Sequence, residues 1–216
     1  MWVAELWRYP VKSMAGEPMH TVELRADGIS GDRVLHVRDG RGRVVTSRSR
    51  PRLLGLHAVL GPDGEPLIEG RPWTDAWVAS AVEAAARADA RLVRSAGIER
   101  FDILPLLVAT DGAIAAFGHD RRRLRPNLVA GGVDGLAERS WGGRALRAGG
   151  VLIGLRDLRQ RCIMTTFDPD TLEQDVEVLK GIHRRFGGRL ALNAYVVRGG
   201  MLSVGDTVEL AAEPAS

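Results

Sequence analysis

A single cysteine, Cys162, stands among the 216 residues of the chain. It cannot close an internal disulfide, and it cannot supply the ligand set of a cysteine-rich zinc site or the four thiolates of a typical iron–sulfur cluster. It is left as either a small buried side chain or a chemically active thiol. Long hydrophobic runs are also missing. The longest apolar stretches, such as Ile103–Thr110, are far too short to cross a bilayer, and no signal peptide is read before Trp2. The expectation is a cytoplasmic protein with no membrane partner. Aromatics make up only 5% of the chain, and no motif of a known nucleic-acid-binding class is present. Nucleic acid is therefore not an expected partner, although the net charge is +3. The five histidines (His20, His36, His57, His119 and His183) do not fall at metal-ligand spacing. No G-x-x-x-x-G-K-[ST] phosphate loop, G-x-G-x-x-G fingerprint, H-E-x-x-H zinc motif or G-x-S-x-G nucleophile elbow occurs.

Lysine is nearly absent as well: of 30 cations only Lys12 and Lys180 are lysines. A GC-rich coding bias accounts for most of this excess of arginine. Its consequence is chemical all the same, because arginine presents a planar, permanently charged fork suited to phosphates. The densest positive segment, Arg121-Arg122-Arg123-Leu124-Arg125, can face a polyanionic ligand or lie as a solvated loop. With 45% apolar and 26% charged residues, the chain reads as an ordinary globular protein. Its length suits a main domain with a smaller N-terminal module. The boundaries expected are residues 1–90 and 91–212, with a disordered tail at 213–216.

Periodicity points to a mainly β protein with a few helices, an α+β barrel architecture. Short runs bounded by Gly, Pro or Asp predict strands at Trp2–Trp7, His20–Leu24, Val34–Arg38, Arg43–Thr46 and Leu53–Val59. Gly61-Pro62-Asp63-Gly64 predicts a hairpin turn between Leu56–Leu60 and Pro66–Glu69. An alanine-rich helix is predicted over Thr74–Ala88, with Trp77, Val78, Ala81, Val82 and Ala85 on its core face. A short helix follows from Asp111 to Phe117, between Thr110 as N-cap and Gly118 as stop. Further strands are expected at Asn127–Ala130, Ala145–Ala148, Val151–Leu158 and Cys162–Phe167. A helix capped by Asp175 and carrying Val176, Leu179, Ile182 and Phe186 inward runs to Arg185 and ends at Gly187-Gly188. A closing hairpin spans Ala191–Leu210, and Ala211–Ser216 reads as a frayed end.

Three separated segments carry the chemistry. In Arg161-Cys162-Ile163-Met164-Thr165-Thr166-Phe167-Asp168 the lone thiol follows an arginine, a setting that favours the thiolate, which attacks electrophiles and binds soft metals. The same residues also read as a cysteine packed in a strand before a turn at Asp168-Pro169-Asp170. Arg125-Pro126-Asn127 can present a guanidinium and an amide to a phosphate or a heterocycle edge, or can simply lead a loop into a strand. Trp7-Arg8-Tyr9-Pro10-Val11-Lys12-Ser13 places the first lysine beside a serine.

Taken in order, these segments resemble the MOSC superfamily together with its associated N-terminal β-barrel module. The N-terminal likeness is carried by Tyr9-Pro10-Val11-Lys12-Ser13, Gly31-Asp32-Arg33, and Thr46-Ser47-Arg48 with Pro51-Arg52-Leu53. The main-domain likeness is carried by Arg125-Pro126-Asn127, Glu138 with Trp141, Arg161-Cys162 with Thr165-Thr166, Asp168-Pro169-Asp170-Thr171, and Val204-Gly205-Asp206. The resemblance implies a MOSC-type β-barrel with a smaller N-terminal barrel, and a molybdenum–pterin cofactor with Cys162 as the protein ligand to the metal. It implies that Lys12, Ser13, Arg48, Arg125, Asn127 and Arg161 surround the pterin and its phosphate. Arg33 and Arg52 would stand behind them or hold the module together. Thr165 and Thr166 would bond the cofactor or the strand, and Asp168 would relay protons or cap its turn. Pyridoxal phosphate binding is a further family-level attribute.

For a chain joining both modules, the resemblance implies reduction of N-hydroxylated compounds. An external flavin or iron–sulfur protein would supply the electrons. The alternative is a carrier that delivers cofactor or sulfur without turnover of its own. Three departures from relatives stand out: Leu124 precedes Arg125 where Phe is frequent, Ala113 replaces a frequent Ser, and Arg159 replaces a frequent Cys.

Overall fold

The computed structural model describes residues 1–95, 97 and 100–212. The tail expected at 213–216 lies outside them. The main body is an eight-stranded sheet. In spatial order its strands are Glu209–Ala211, Ala145–Ala148, Val151–Gln160, Arg189–Arg198, Leu106–Thr110, Leu128–Gly131, Trp2–Arg8 and Glu17–Met19. All neighbours pair antiparallel except Leu106–Thr110 with Leu128–Gly131, which are parallel. Parallel neighbours require a crossover. The helix Asp111–Phe117 provides it, capped by the Thr110 hydroxyl, which accepts from the Ala113 N–H, and stopped by Gly118 at φ 74°.

The two ends of the sheet meet. The Val3 N–H donates to the Asp206 carbonyl at 2.9 Å, the Gly205 N–H to the Val3 carbonyl at 2.8 Å, and the Val208 N–H to the Met1 carbonyl at 2.9 Å. The sheet is thereby rolled around a core that includes Val3, Leu6, Val108, Leu128, Ile153 and Leu192. A second core, with Val11, Leu35, Leu53, Ile68, Val78 and Val82, belongs to the N-terminal module. Two three-stranded sheets and the helix Ala76–Ala86 enclose it. The two bodies are interwoven, because Trp2–Arg8 lies inside the main sheet and Thr21–Arg25 pairs with Gly200–Ser203.

Several local expectations change. Leu53–Val59 is not one strand: Pro51 opens a 3-10 turn over Pro51–Gly55, and only Ala58–Leu60 is extended. Proline fixes φ near its helical value and lacks an N–H, which suits the start of such a turn. Cys162–Phe167 is likewise a 3-10 turn, Ile163–Thr166. The Thr165 hydroxyl bonds back to the Cys162 carbonyl at 2.9 Å and the Thr166 hydroxyl to the Ile163 carbonyl at 2.7 Å, closing a local structure where β-branching predicts a strand. The strands Ala90–Arg94 and Leu106–Thr110 form from segments in which no strand was expected. Ala211, expected to fray, pairs with Ala145.

The helices keep most of their expected inward residues and differ at single positions. The first, expected from Thr74, begins at Ala76 and is capped by Asp75, whose carboxylate accepts from the Trp77 N–H at 2.7 Å. Trp77 points outward and stacks under Arg71, 5.3 Å from the ring centre. In the helix Val176–Phe186 the inward residues are Val178, Ile182 and Phe186, one every four, while Val176 is exposed. These three pack with Phe117, Leu124 and Leu190 in a side core that anchors both the Arg121–Leu124 turn and the Cys162 turn. Ile182→Ala should therefore cost about 2–4 kcal/mol in urea unfolding, whereas Val176→Ala should stay within about 0.5 kcal/mol. Equal losses would overturn the phase assigned to this helix.

Candidate functional site

A cleft of about 240 Å³ opens between the N-terminal module and the rolled sheet. Charge dominates it. Lys12, Arg33, Arg48, Arg123, Arg125, Arg159 and Arg161 line it, seven cations against the single carboxylate of Asp102. Cys162 lies in the same lining, partly exposed. The backbone is bent to present these groups. Ser13, Arg33 and Arg125 have φ of 74°, 51° and 56°, and they are three of the seven non-glycine residues with positive φ among those described. Left-handed backbone costs energy for such residues, and it concentrates where a fold must aim side chains.

Asp102 organises the mouth. Its carboxylate meets Lys12 Nζ at 3.1 Å and Arg159 at 3.3 Å, and it also receives the Arg48 guanidinium. Burial alone would raise the Asp102 pKa, but Lys12 first, then Arg48 and Arg159, hold it below the usual carboxylate range. Burial likewise pulls Arg48 down, while Asp102 and then Cys162 lift it to a net increase. Arg159, whose guanidinium also donates to Asn193 Oδ1 at 3.1 Å, is lowered, chiefly by burial. Cys162 shares the cleft lining with three cations, Arg48, Arg159 and Arg161.

Deeper in the cleft two guanidiniums are desolvated. Burial pushes the pKa of Arg125 and that of Arg161 down to about 10. The Arg125 guanidinium carbon lies over the Tyr9 ring, 4.3 Å from its centre, and one of its terminal nitrogens has no hydrogen-bond partner. Arg161 donates one terminal N–H to the Leu124 carbonyl at 2.7 Å, but its Nε is unpartnered. Tyr9 is held by its hydroxyl, which donates to the Pro126 carbonyl at 3.1 Å, and by its N–H, which donates to Asp32 at 2.7 Å. Burial pushes the Tyr9 phenol up to about 12, so it stays neutral. Leaving a buried donor unpaired costs about 1–3 kcal/mol. An anionic ligand reaching both orphan N–H groups would recover that cost.

The structure brings Lys12, Ser13, Arg33, Arg48, Arg125, Asn127, Arg161 and Cys162 to one cleft. Asn127 has other commitments: its amide oxygen accepts from the Leu107 N–H at 3.2 Å, and its amide nitrogen donates to the Trp7 carbonyl at 3.2 Å. Arg52 lines a different depression with Pro51, Arg87 and Leu172. Thr165 and Thr166 are buried with their hydroxyls spent on the 3-10 turn. Asp168 accepts from the Asp170 and Thr171 N–H groups at 3.0 Å each and from Arg123 at 3.0 Å, which fixes the loop under Arg123. Asp102, Arg159, Arg123, Tyr9 and Asn193 are at or beside the cleft without having been singled out as site residues. The Phe101-Asp102 dipeptide has no motif around it. Arg159 stood out only as a departure. Among the described residues no group of three or more His, Cys, Asp or Glu forms a metal cage.

Comparison with known proteins finds two family matches along the chain. Residues 1–94 match the MOSC N-terminal beta barrel domain and residues 111–209 match the MOSC domain. Human mitochondrial amidoxime-reducing component 1 is 29% identical over 286 residues, covering 96% of this chain and 82% of that protein. Human mitochondrial amidoxime reducing component 2 is 27% identical over 227 residues, covering 78% of this chain and 67% of its own length. The YuaD protein of Bacillus subtilis, a crystal structure, superposes with a TM-score of 0.52 over 99% of this chain and 100% of that one, at 14% identity, which shows a shared fold.

The Asp102 cluster generates a pH-dependent expectation. A carboxyl whose folded pKa lies below its unfolded value of about 3.9 adds stability that is fully present above that value and lost as pH falls through the folded one. Asp102→Asn should cost about 1–3 kcal/mol at neutral pH, between the values for exposed and fully buried ion pairs. The gap from wild type should narrow below about pH 4 in urea titrations at several pH values. A gap independent of pH would show that the charge of Asp102 is not what holds the mouth.

Proposed function

The chain is a MOSC-domain protein with a MOSC N-terminal β-barrel domain, homologous to the mitochondrial amidoxime-reducing components, and we propose that it binds a molybdenum–pterin cofactor and reduces N-hydroxylated compounds. One observation carries the reading: two desolvated guanidiniums with unpartnered N–H groups, Arg125 and Arg161, share a seven-cation cleft with the only thiol of the chain. The donor set fits the group. A phosphorylated pterin dithiolene is polyanionic and finds charge-assisted donors there, while a thiolate suits a soft, thiophilic metal. Cys162 would hold the metal. Lys12, Ser13, Arg33, Arg48, Arg125, Asn127 and Arg161 would surround the pterin and its phosphate. Pyridoxal phosphate finds less support, because the Lys12 ammonium is held against Asp102 rather than offered for imine formation.

When bound, the cofactor supplies two-electron reduction, converting an N–OH group and two protons to N–H and water. The residues of the chain bind, orient and balance charge. Arg125 and Arg161 would meet the phosphate, the Ser13–Arg33–Arg125 bends would fix where the donors point, and Arg48 and Arg159 place positive charge beside Cys162. Asp102 keeps those two guanidiniums and Lys12 from repelling one another. With one cysteine, no iron–sulfur cluster can be built from the chain itself, so the electrons are proposed to come from a separate flavin or iron–sulfur protein.

Protein made with molybdate should contain near-stoichiometric molybdenum and pterin, and it should reduce benzamidoxime when supplied with a chemical reductant. Cys162→Ser should lose metal and turnover while keeping pterin, and Arg125→Gln should lose pterin. A Cys162→Ser protein that reduces benzamidoxime at the wild-type rate would sink the assignment. Cofactor that transfers to an apo-enzyme, with no turnover of its own, would favour the carrier reading.

A further inference from the structure

A second cavity, of about 250 Å³, lies against the opposite side of the cleft wall. Its character is different. Trp7, Tyr9, Leu54, Met164, Phe167 and Pro169 give it a largely carbon lining, drawn from both domains. The polar ends of its aromatics are turned to other partners: Trp7 Nε1 donates to Glu5 at 2.8 Å and the Tyr9 hydroxyl to the Pro126 carbonyl at 3.1 Å. What faces a ligand is then ring surface and aliphatic carbon.

Three arginines also reach this cavity, and their accounts differ. Arg122 is neutralised by Asp120 and Asp170, at 2.7 Å each. Arg123 is matched by Asp168 at 3.0 Å. Arg125 has no carboxylate in contact and keeps one buried nitrogen unpartnered. The cavity therefore pairs a largely apolar, aromatic lining with one cation that no carboxylate contacts. Such a pocket rejects cations, leaves a neutral guest with an unsatisfied guanidinium behind it, and suits a guest with a flat apolar body and one anionic end.

We propose that this cavity is a second ligand site, separate from the cleft that holds Cys162, for a small planar aromatic carboxylate whose anionic end accepts from Arg125. Cys162 is not part of its lining, but Arg125 lines both cavities, so a phosphate held in the cleft and a carboxylate held here draw on the same guanidinium and are expected to compete. Arg123, Arg125 and Met164 form the partition that both cavities share.

The test is calorimetric titration of the full chain as purified with 2-naphthoate and with its neutral counterpart 2-naphthamide. The naphthoate should bind one to one and at least tenfold tighter than the amide. Leu54→Trp, which fills the cavity from the N-terminal side, should weaken naphthoate binding at least tenfold. His57→Trp, at an exposed position on the rim, should do the same if the first variant does not fold. Arg125→Gln should erase the preference for the carboxylate, and Cys162→Ala should leave binding unchanged. Equal affinity for naphthoate and naphthamide would overturn the proposal. So would wild-type naphthoate affinity in a folded Leu54→Trp or His57→Trp protein, which would place the anion in the cleft instead.

Discussion

Bringing seven side-chain cations into one cleft is a problem of mutual repulsion, and at the mouth the fold answers three of them with a single carboxylate. Asp102 stands where Lys12 and Arg48 from the N-terminal module approach Arg159 from the main sheet, and it contacts all three. At an intermediate dielectric each such contact is worth a few kcal/mol before desolvation is subtracted, and the pairs of like charge around it cost comparable amounts. The net gain is small. The geometric consequence is larger, because Asp102, four residues before the strand Leu106–Thr110, ties the two domains together at the rim of the site. Deeper in, no carboxylate answers Arg125 or Arg161, and both stay desolvated with donors unspent. The site is thus tied together by a carboxylate at its mouth and left without one at its floor.

The rest of the architecture follows from holding that floor in place. Arg123 and Arg125 sit between the helix Asp111–Phe117 and the strand Leu128–Gly131, within the one parallel crossover of the sheet. Leu124, between them, is buried against Phe117 and the helix Val176–Phe186. The alternation aims the two arginines outward from a hydrophobic anchor. The same helix supports the Cys162 turn, whose tightness comes from Thr165 and Thr166 bonding back to carbonyls three residues earlier. Asp168 then holds Arg123 from below. Residues that carry no ligand contact of their own thereby decide where the contacting ones point.

Much of the fold was legible in the sequence, for identifiable reasons. The mainly β character, the Asp111–Phe117 helix with its Thr110 and Gly118 ends, and the Asp175 cap rest on local chemistry that acts within four residues. The misreadings also have local causes. Leu53–Val59 and Cys162–Phe167 are rich in branched and apolar residues, yet Pro51 and the paired threonines close turns there. Leu106–Thr110 is buried on both faces in the middle of a sheet and shows no alternation to betray a strand. In the Val176 helix the sequence correctly places Ile182 and Phe186 inward, but it reads the exposed Val176 as a core position in place of Val178.

What the sequence determined by itself is the inventory: a lone thiol, a surplus of guanidinium, and ordered motifs whose members Lys12, Ser13, Arg33, Arg48, Arg125, Asn127, Arg161 and Cys162 do come together. What only the tertiary structure decided is which charges are answered. Asp102 and Arg159 are 57 positions apart along the chain and meet through the packing of a linker against a strand. Arg125 and Arg161 lose their water because two domains close over them. Charge is a property of a residue, but desolvation and pairing are properties of its neighbours, and those neighbours come from distant parts of the chain.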